Sequence, residues 1–173
     1  QSSGPNEDSI DLEFTDANLF NLNRFAGRDR QEGGTRVDYA LRGAWYFPNG
    51  GMLEGLAGAS YRVQNDGGPF YANSGLENRA SDYVGRARLM PVSWLEFLGR
   101  GRFAQDDGAV RFMDLSTTVN LGTGTALTGG YLYTPAMPYL TPVQDRNEVA
   151  FGINQRIGNW RFGAFARYDI ELN

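Results

Sequence analysis

Residues 36–64 read Arg36-Val37-Asp38-Tyr39-Ala40-Leu41-Arg42-Gly43-Ala44-Trp45-Tyr46-Phe47, then Pro48-Asn49-Gly50-Gly51, then Met52-Leu53-Glu54-Gly55-Leu56-Ala57-Gly58-Ala59-Ser60-Tyr61-Arg62-Val63-Gln64. Val37, Tyr39, Leu41, Trp45 and Phe47 share one face of a period-two strand, and Arg36, Asp38 and Arg42 share the other. After the turn, Leu53, Ala57, Ala59, Tyr61 and Val63 alternate against Glu54, Ser60, Arg62 and Gln64. The stretch therefore predicts a β-hairpin with one apolar, aromatic face and one charged face. In a water-soluble sheet the apolar face packs on a second layer. In a membrane barrel it faces lipid, and the charged face lines the lumen.

Composition narrows the function classes. The chain has 173 residues, with no His and no Cys, and all 16 of its cationic residues are Arg. Without imidazole or thiol there is no Ser–His or Cys–His nucleophilic pair and no ordinary zinc ligand set. Catalytic residues, cofactors and metal sites are accordingly not expected. A net charge of −4 gives no reason to expect a nucleic-acid partner. No apolar run reaches the length of a transmembrane helix, and barrel strands need none.

Six further strand-like segments follow the hairpin, giving eight predicted strands at 36–47, 51–64, 82–91, 94–105, 109–121, 126–136, 146–157 and 160–172. Residues 1–35 read as a long polar loop region with a short strand near 10–14, and residues 36–173 read as the strand region. In that loop Leu19, Phe20, Leu22 and Phe25 are the expected docking anchors. The connections at 48–50, 91–93, 122–125 and 158–159 are short. Those at 65–81 and 137–145 are long, while Asp106-Asp107-Gly108 is a tight exception. Short turns at one end and long loops at the other are the pattern of outer-membrane barrels. The polar phase collects Asp38, Arg42, Glu54, Arg62, Arg86, Arg88, Glu96, Arg100, Arg102, Asp114, Arg156 and Arg167 as a candidate lumen network. Segment 126–136, with Gly129, Gly130, Tyr131, Leu132 and Tyr133, gives no clean alternation.

Trp45, Trp94 and Trp160 each lie beside a different short turn, and Tyr61, Tyr83, Phe103 and Tyr168 lie toward the opposite strand ends. Two aromatic bands at fixed depth are what the two interfaces of a bilayer select, so the membrane barrel is preferred to a soluble sandwich. With the short turns periplasmic, both ends of the segment fall on the extracellular side. The expectation is a part of a larger barrel, with a small standalone barrel acting as anchor, binding protein or pore as the alternative.

Several pieces carry a resemblance. They are Pro5-Asn6-Glu7-Asp8-Ser9, Asn18-Leu19-Phe20, Arg24-Phe25-Ala26-Gly27-Arg28-Asp29-Arg30, Glu32-Gly33-Gly34, Ser60-Tyr61-Arg62, Ser74-Gly75-Leu76, Ser81-Asp82-Tyr83-Val84-Gly85-Arg86, Arg146-Asn147-Glu148-Val149, and Trp160 with Tyr168-Asp169. In this order they resemble the C-terminal barrel of the LPS-assembly outer-membrane protein family, LptD (also called OstA or Imp). The resemblance implies a location in the outer membrane of a Gram-negative bacterium, among its lipids. It implies a part in inserting lipopolysaccharide into the outer leaflet through a seam between the first and last strands. It also implies an LptE-like lipoprotein plug in the lumen, and transport-bridge components reached through a periplasmic jellyroll. The jellyroll, the seam strands and the cysteines carried by many members have no counterpart in these residues, so this segment alone is not expected to transport.

The polar rows line a lipopolysaccharide path, touch the plug, or simply fill the lumen with ion pairs, as barrel interiors commonly do. Arg24, Arg28 and Arg30 present forks suited to lipid phosphates or plug contact, or else pair locally with Asp29 and Glu32. Asp106-Asp107 before Gly108 reads as a turn and not as an acid–base dyad.

Overall fold

The structure is a computed structural model, and it describes residues 14–21, 35–63, 74–76, 78–136 and 145–170. Eight strands follow one another: β1 (Arg36–Tyr46), β2 (Met52–Arg62), β3 (Tyr83–Val92), β4 (Leu95–Phe103), β5 (Val110–Asn120), β6 (Thr125–Thr134), β7 (Arg146–Ile157) and β8 (Trp160–Asp169). They form one antiparallel meander in sequence order. The strands expected from alternation are all present, with ends displaced by a few residues because fraying ends carry little pattern.

The first hairpin shows how sequence sets the turn. Phe47 N donates to Gly51 O at 2.8 Å, and Gly50 N donates to Phe47 O at 3.0 Å. The Asn49 side chain accepts from Gly51 N at 3.1 Å, and Gly50 takes a φ of 81° that disfavours a side chain.

Register keeps a single phase across the sheet except at bulges near two strand ends. Asp38 pairs with Ser60, Glu54 with Arg88, Arg86 with Arg100, Arg100 with Asp114, and Glu148 with Asp169. β6, ambiguous in sequence, is fixed by its neighbours: Leu132 stands between Asp114 and Glu148 on the polar phase, and Tyr131 between Leu115 and Val149 on the apolar one. Of the charged residues inside the strands, only Arg111 leaves the polar phase. It sits at the β4–β5 bulge, where Arg102 pairs with Phe112 and Phe103 with Val110.

The two faces are packed unequally. The apolar face is bare: Leu41, Phe97, Phe151, Phe162 and Tyr168 are all exposed. Among the described residues the core cluster lies over the polar face near the long loops. It consists of Phe14, Leu19, Leu76 and Val84, with Phe14 and Leu19 at 0% exposure. Leu19 fits against Gly58, where an added Cβ would meet its Cδ2 at 2.6 Å.

The sheet does not close on itself: it runs from β1 to β8 and leaves both as edges among the described residues, in line with a part of a larger barrel. One expectation changes. Phe20, expected as a buried anchor, is exposed, because the turn at residues 15–21 buries Leu19 and turns its neighbour outward. Leu22 and Phe25, like most of the expected strand near 10–14, lie outside the described residues.

Filling the Leu19 seat is the sharpest test of this packing. Gly58→Val should cost about 1–3 kcal/mol by overpacking. Gly55→Ala, where an added Cβ meets nothing within 4 Å, should gain about 0.5–1 kcal/mol. Urea titration of the folded protein, followed by tryptophan fluorescence, separates the two.

Candidate functional site

The candidate site is the polar face. Strand alternation aims its charges to one side, and the common register brings charges from different strands together. On β1 and β2, Arg36 pairs with Asp38 at 3.0 Å, and Ser60 Oγ donates to the same carboxylate. Beside them a relay crosses three strands: Arg42 meets Glu54 at 3.0 Å, Glu54 meets Arg86 at 3.3 Å, and Arg86 meets Asp16 of the loop at 3.6 Å. Nearer the short turns, Arg88 Nη2 donates to Glu96 at 2.7 Å.

Arg102 is buried to 1% exposure. Its Nη1 donates to the Ser74 carbonyl, and its Nη2 donates to the Arg111 carbonyl at 3.4 Å. Its Nε lies 3.8 Å from the Asp82 carboxylate. The bulge that displaces Arg111 turns that carbonyl toward Arg102. Arg62, also buried, reaches the Leu76 carbonyl at 3.5 Å. Segment 74–82 is thus pinned from below by two arginines of the sheet. Its backbone adds Ser81 N to Ser60 O at 2.8 Å and Asp82 N to Gly75 O at 2.9 Å.

Across the sheet, buried Glu148 is held by Arg146 and, at 3.3 Å, by Arg167. Arg167 also lies 5.8 Å from the centroid of the Phe165 ring. Asp114, Leu132, Glu148 and Arg167 line a groove of about 240 Å³ on this side. Arg100 stands opposite Asp114 in the ladder, and its buried Nε makes no hydrogen bond. Arg156 turns to the Gly158 carbonyl at 3.4 Å, beside the last short turn.

The expected polar residues therefore share one face but divide into separate clusters. Asp16, Asp82 and the Ser74 carbonyl were missed by sequence reasoning. They lie in loops, where no alternation says which way a side chain points. Glu148 is visible in the alternation of β7, but its two-arginine clasp is not. Arg24, Arg28 and Arg30 lie outside the described residues. Trp45, Trp94 and Trp160 are exposed at the short-turn end. The Trp45 ring lies back over Gly43, where an added Cβ would meet it at 2.8 Å. Among the described residues no group of three or more metal-ligating side chains occurs.

A single meandering sheet, bare and apolar on one side and ion-paired on the other, defines the class as an open, two-faced antiparallel β-meander. The family model for LptD, described as LPS transport system D, matches residues 1–166. The chain belongs to the LptD family, and that membership ties it to lipopolysaccharide transport. No curated protein matches the chain.

Buried and exposed arginines of this face should differ sharply. Arg102→Ala empties a buried site and removes the guanidinium facing the Asp82 carboxylate and bonding the Ser74 and Arg111 carbonyls, and should cost about 3–5 kcal/mol. Arg42→Ala removes a side chain that is 65% exposed, and should cost less than about 1 kcal/mol. Equilibrium unfolding of the two variants in parallel checks the order.

Proposed function

We propose that this sheet is a section of the outer-membrane β-barrel that inserts lipopolysaccharide into the outer leaflet. The apolar face then meets lipid and the polar face lines the lumen. The observation that carries the reading is the bare face. Leu41, Leu115, Phe151, Ile153 and Phe162 stand exposed on one side of a continuous sheet, an area far beyond what a soluble surface tolerates. Lipid removes that cost, and it explains why the strand charges keep to the other side. Family membership supplies the lipopolysaccharide.

In this reading Trp45, Trp94 and Trp160 mark the periplasmic interface, and the long loops face outward. The polar clusters wet the lumen and hold the loops. The section is a non-catalytic wall. Its partners are lipopolysaccharide, the surrounding lipids and a plug lipoprotein of the LptE kind. Transport-bridge proteins are reached through a jellyroll lying outside these residues.

Two measurements test the reading. Depleting the full-length protein in its Gram-negative host should strand newly made lipopolysaccharide short of the surface within a few generations. Continued delivery at the normal rate excludes the transport role. Nitroxides at positions 97 and 100 of the vesicle-inserted protein should differ, with only position 97 open to a lipid-soluble relaxant. Equal accessibility excludes the membrane orientation.

A further inference from the structure

The apolar face carries two hollows among the described residues. One lies on β7 and β8, between Phe151, Ile153, Ala164 and Ala166. The other is a trough of about 330 Å³ on β3–β5, with Gly85, Ala87 and Gly99 in its floor and Phe103, Met113 and Leu115 as its walls. The trough exists because its floor has almost no side chains. An added Cβ at Gly99 would meet Leu115 Cδ2 at 3.2 Å, and one at Gly101 would meet the Phe103 ring at 2.9 Å.

Of the two hollows, the trough has a cation at its head. Arg111 is the extra residue of the β4–β5 bulge, where Phe103 pairs with Val110 and Arg102 with Phe112. The bulge re-aims Arg111 to the apolar face, at the long-loop end of β5 and two residues from Met113. Tyr83, opposite Phe103, and Tyr133, opposite Met113, bring phenols to the same level. Above the β7–β8 hollow the corresponding residue is neutral: Asn147, whose side chain accepts from Tyr131 OH at 2.8 Å.

We propose that Arg111 and the trough together seat one phosphorylated lipid of the outer leaflet on the outside of the wall, with its phosphate on the guanidinium and an acyl chain along the glycine floor. The proposal rests on the membrane orientation above and adds a lipid site outside the lumen. An arginine is costly against acyl chains and far less so at the interface, so Arg111 marks headgroup depth. Its planar fork matches phosphate oxygens, and five N–H donors leave room for a phosphate beside a contact within the protein. The two carboxylates of the same hairpin are held in the turn: Asp106 accepts from Asp107 N at 3.0 Å, and Asp107 from Ala109 N at 2.8 Å. Below Arg111 the walls are apolar side chains, so a hydrocarbon chain buries area there and leaves no polar group unpaired.

The test uses the full-length protein in vesicles containing bisphosphorylated lipid A, with the photo-cross-linker benzoylphenylalanine replacing Phe97 or, in a second sample, Phe151. Both are exposed aromatics in mid-strand on the apolar face, and Phe97 stands beside Gly99 at the foot of the trough. Position 97 should capture lipid A at least about threefold more than position 151. Arg111→Gln keeps the carbonyl that Arg102 uses and should remove the excess. Ala87→Phe fills the floor from its exposed side and should remove it with the charge intact. Capture at position 151 should stay unchanged in both variants, and dephosphorylated lipid A should show no excess. Equal capture at the two positions, an excess that survives either variant, a parallel fall at both positions, or the same excess with dephosphorylated lipid A overturns the seat and leaves the membrane orientation standing. Lipid captured at neither position overturns the orientation and the seat together.

Discussion

A side chain that leaves water must leave its charge behind, and this sheet is arranged around that constraint. Each strand alternates, but alternation alone does not make a wall. The ladders must also agree, because a slip of one residue between two strands would carry a row of arginines to the apolar side. From β1 to β8 the ladders shift only near two strand ends, between Leu89 and Val92 and between Arg102 and Phe103, and Arg111 is the one strand charge that leaves the polar phase there. At about 2–4 kcal/mol for each arginine placed at mid-bilayer, lipid would enforce that agreement far more strongly than strand pairing itself. Water would enforce it only if a second layer covered the apolar side, and the described residues provide none.

The polar side meets a different requirement. It has water on it, so exposed pairs such as Arg42–Glu54 contribute little to stability. The arginines that matter are the ones that stop being surface residues. Arg102 and Arg62 are buried because loop 74–82 lies on top of them, and the loop lies there because they satisfy its carbonyls. Burial and pairing are mutual, so neither survives without the other.

Much of this was legible in the sequence, and the failures have physical causes. Period two gave the strands, and the shared phase gave the faces. The Pro48–Gly51 turn was readable because Asn49 and Gly50 have specific backbone roles. β6 was not readable alone: Gly129 and Gly130 carry no side chain to declare a face, so its phase comes only from β5 and β7. The Arg111 bulge was invisible, because an extra residue in one strand shows only against its partner. In the loop, Leu19 and Phe20 look equivalent as sequence, and only the local turn decides which is buried. Phe165 breaks the apolar pattern of β8, yet on the polar face it offers its ring to Arg167.

The tryptophans add an argument that neither the faces nor the ladders supply alone. Trp45 is next to the last residue of β1, and Trp160 is the first of β8. Following the hydrogen-bond ladder from Trp45 leads through Leu53, Leu89, Phe97, Thr117, Gly129 and Phe151 to Ala166, well up β8 from Trp160. The aromatic residues are therefore level with the strand ends and not with the ladder. Strands perpendicular to a slab would keep the two directions aligned. Strands that tilt through it, as barrel closure demands, shear one against the other. In the membrane orientation proposed above, a row of tryptophans that follows the sheared ends is what a planar interface would select on a tilted wall. In that orientation β1 and β8 would each call for a partner strand, since each unpaired backbone group in lipid costs several kcal/mol.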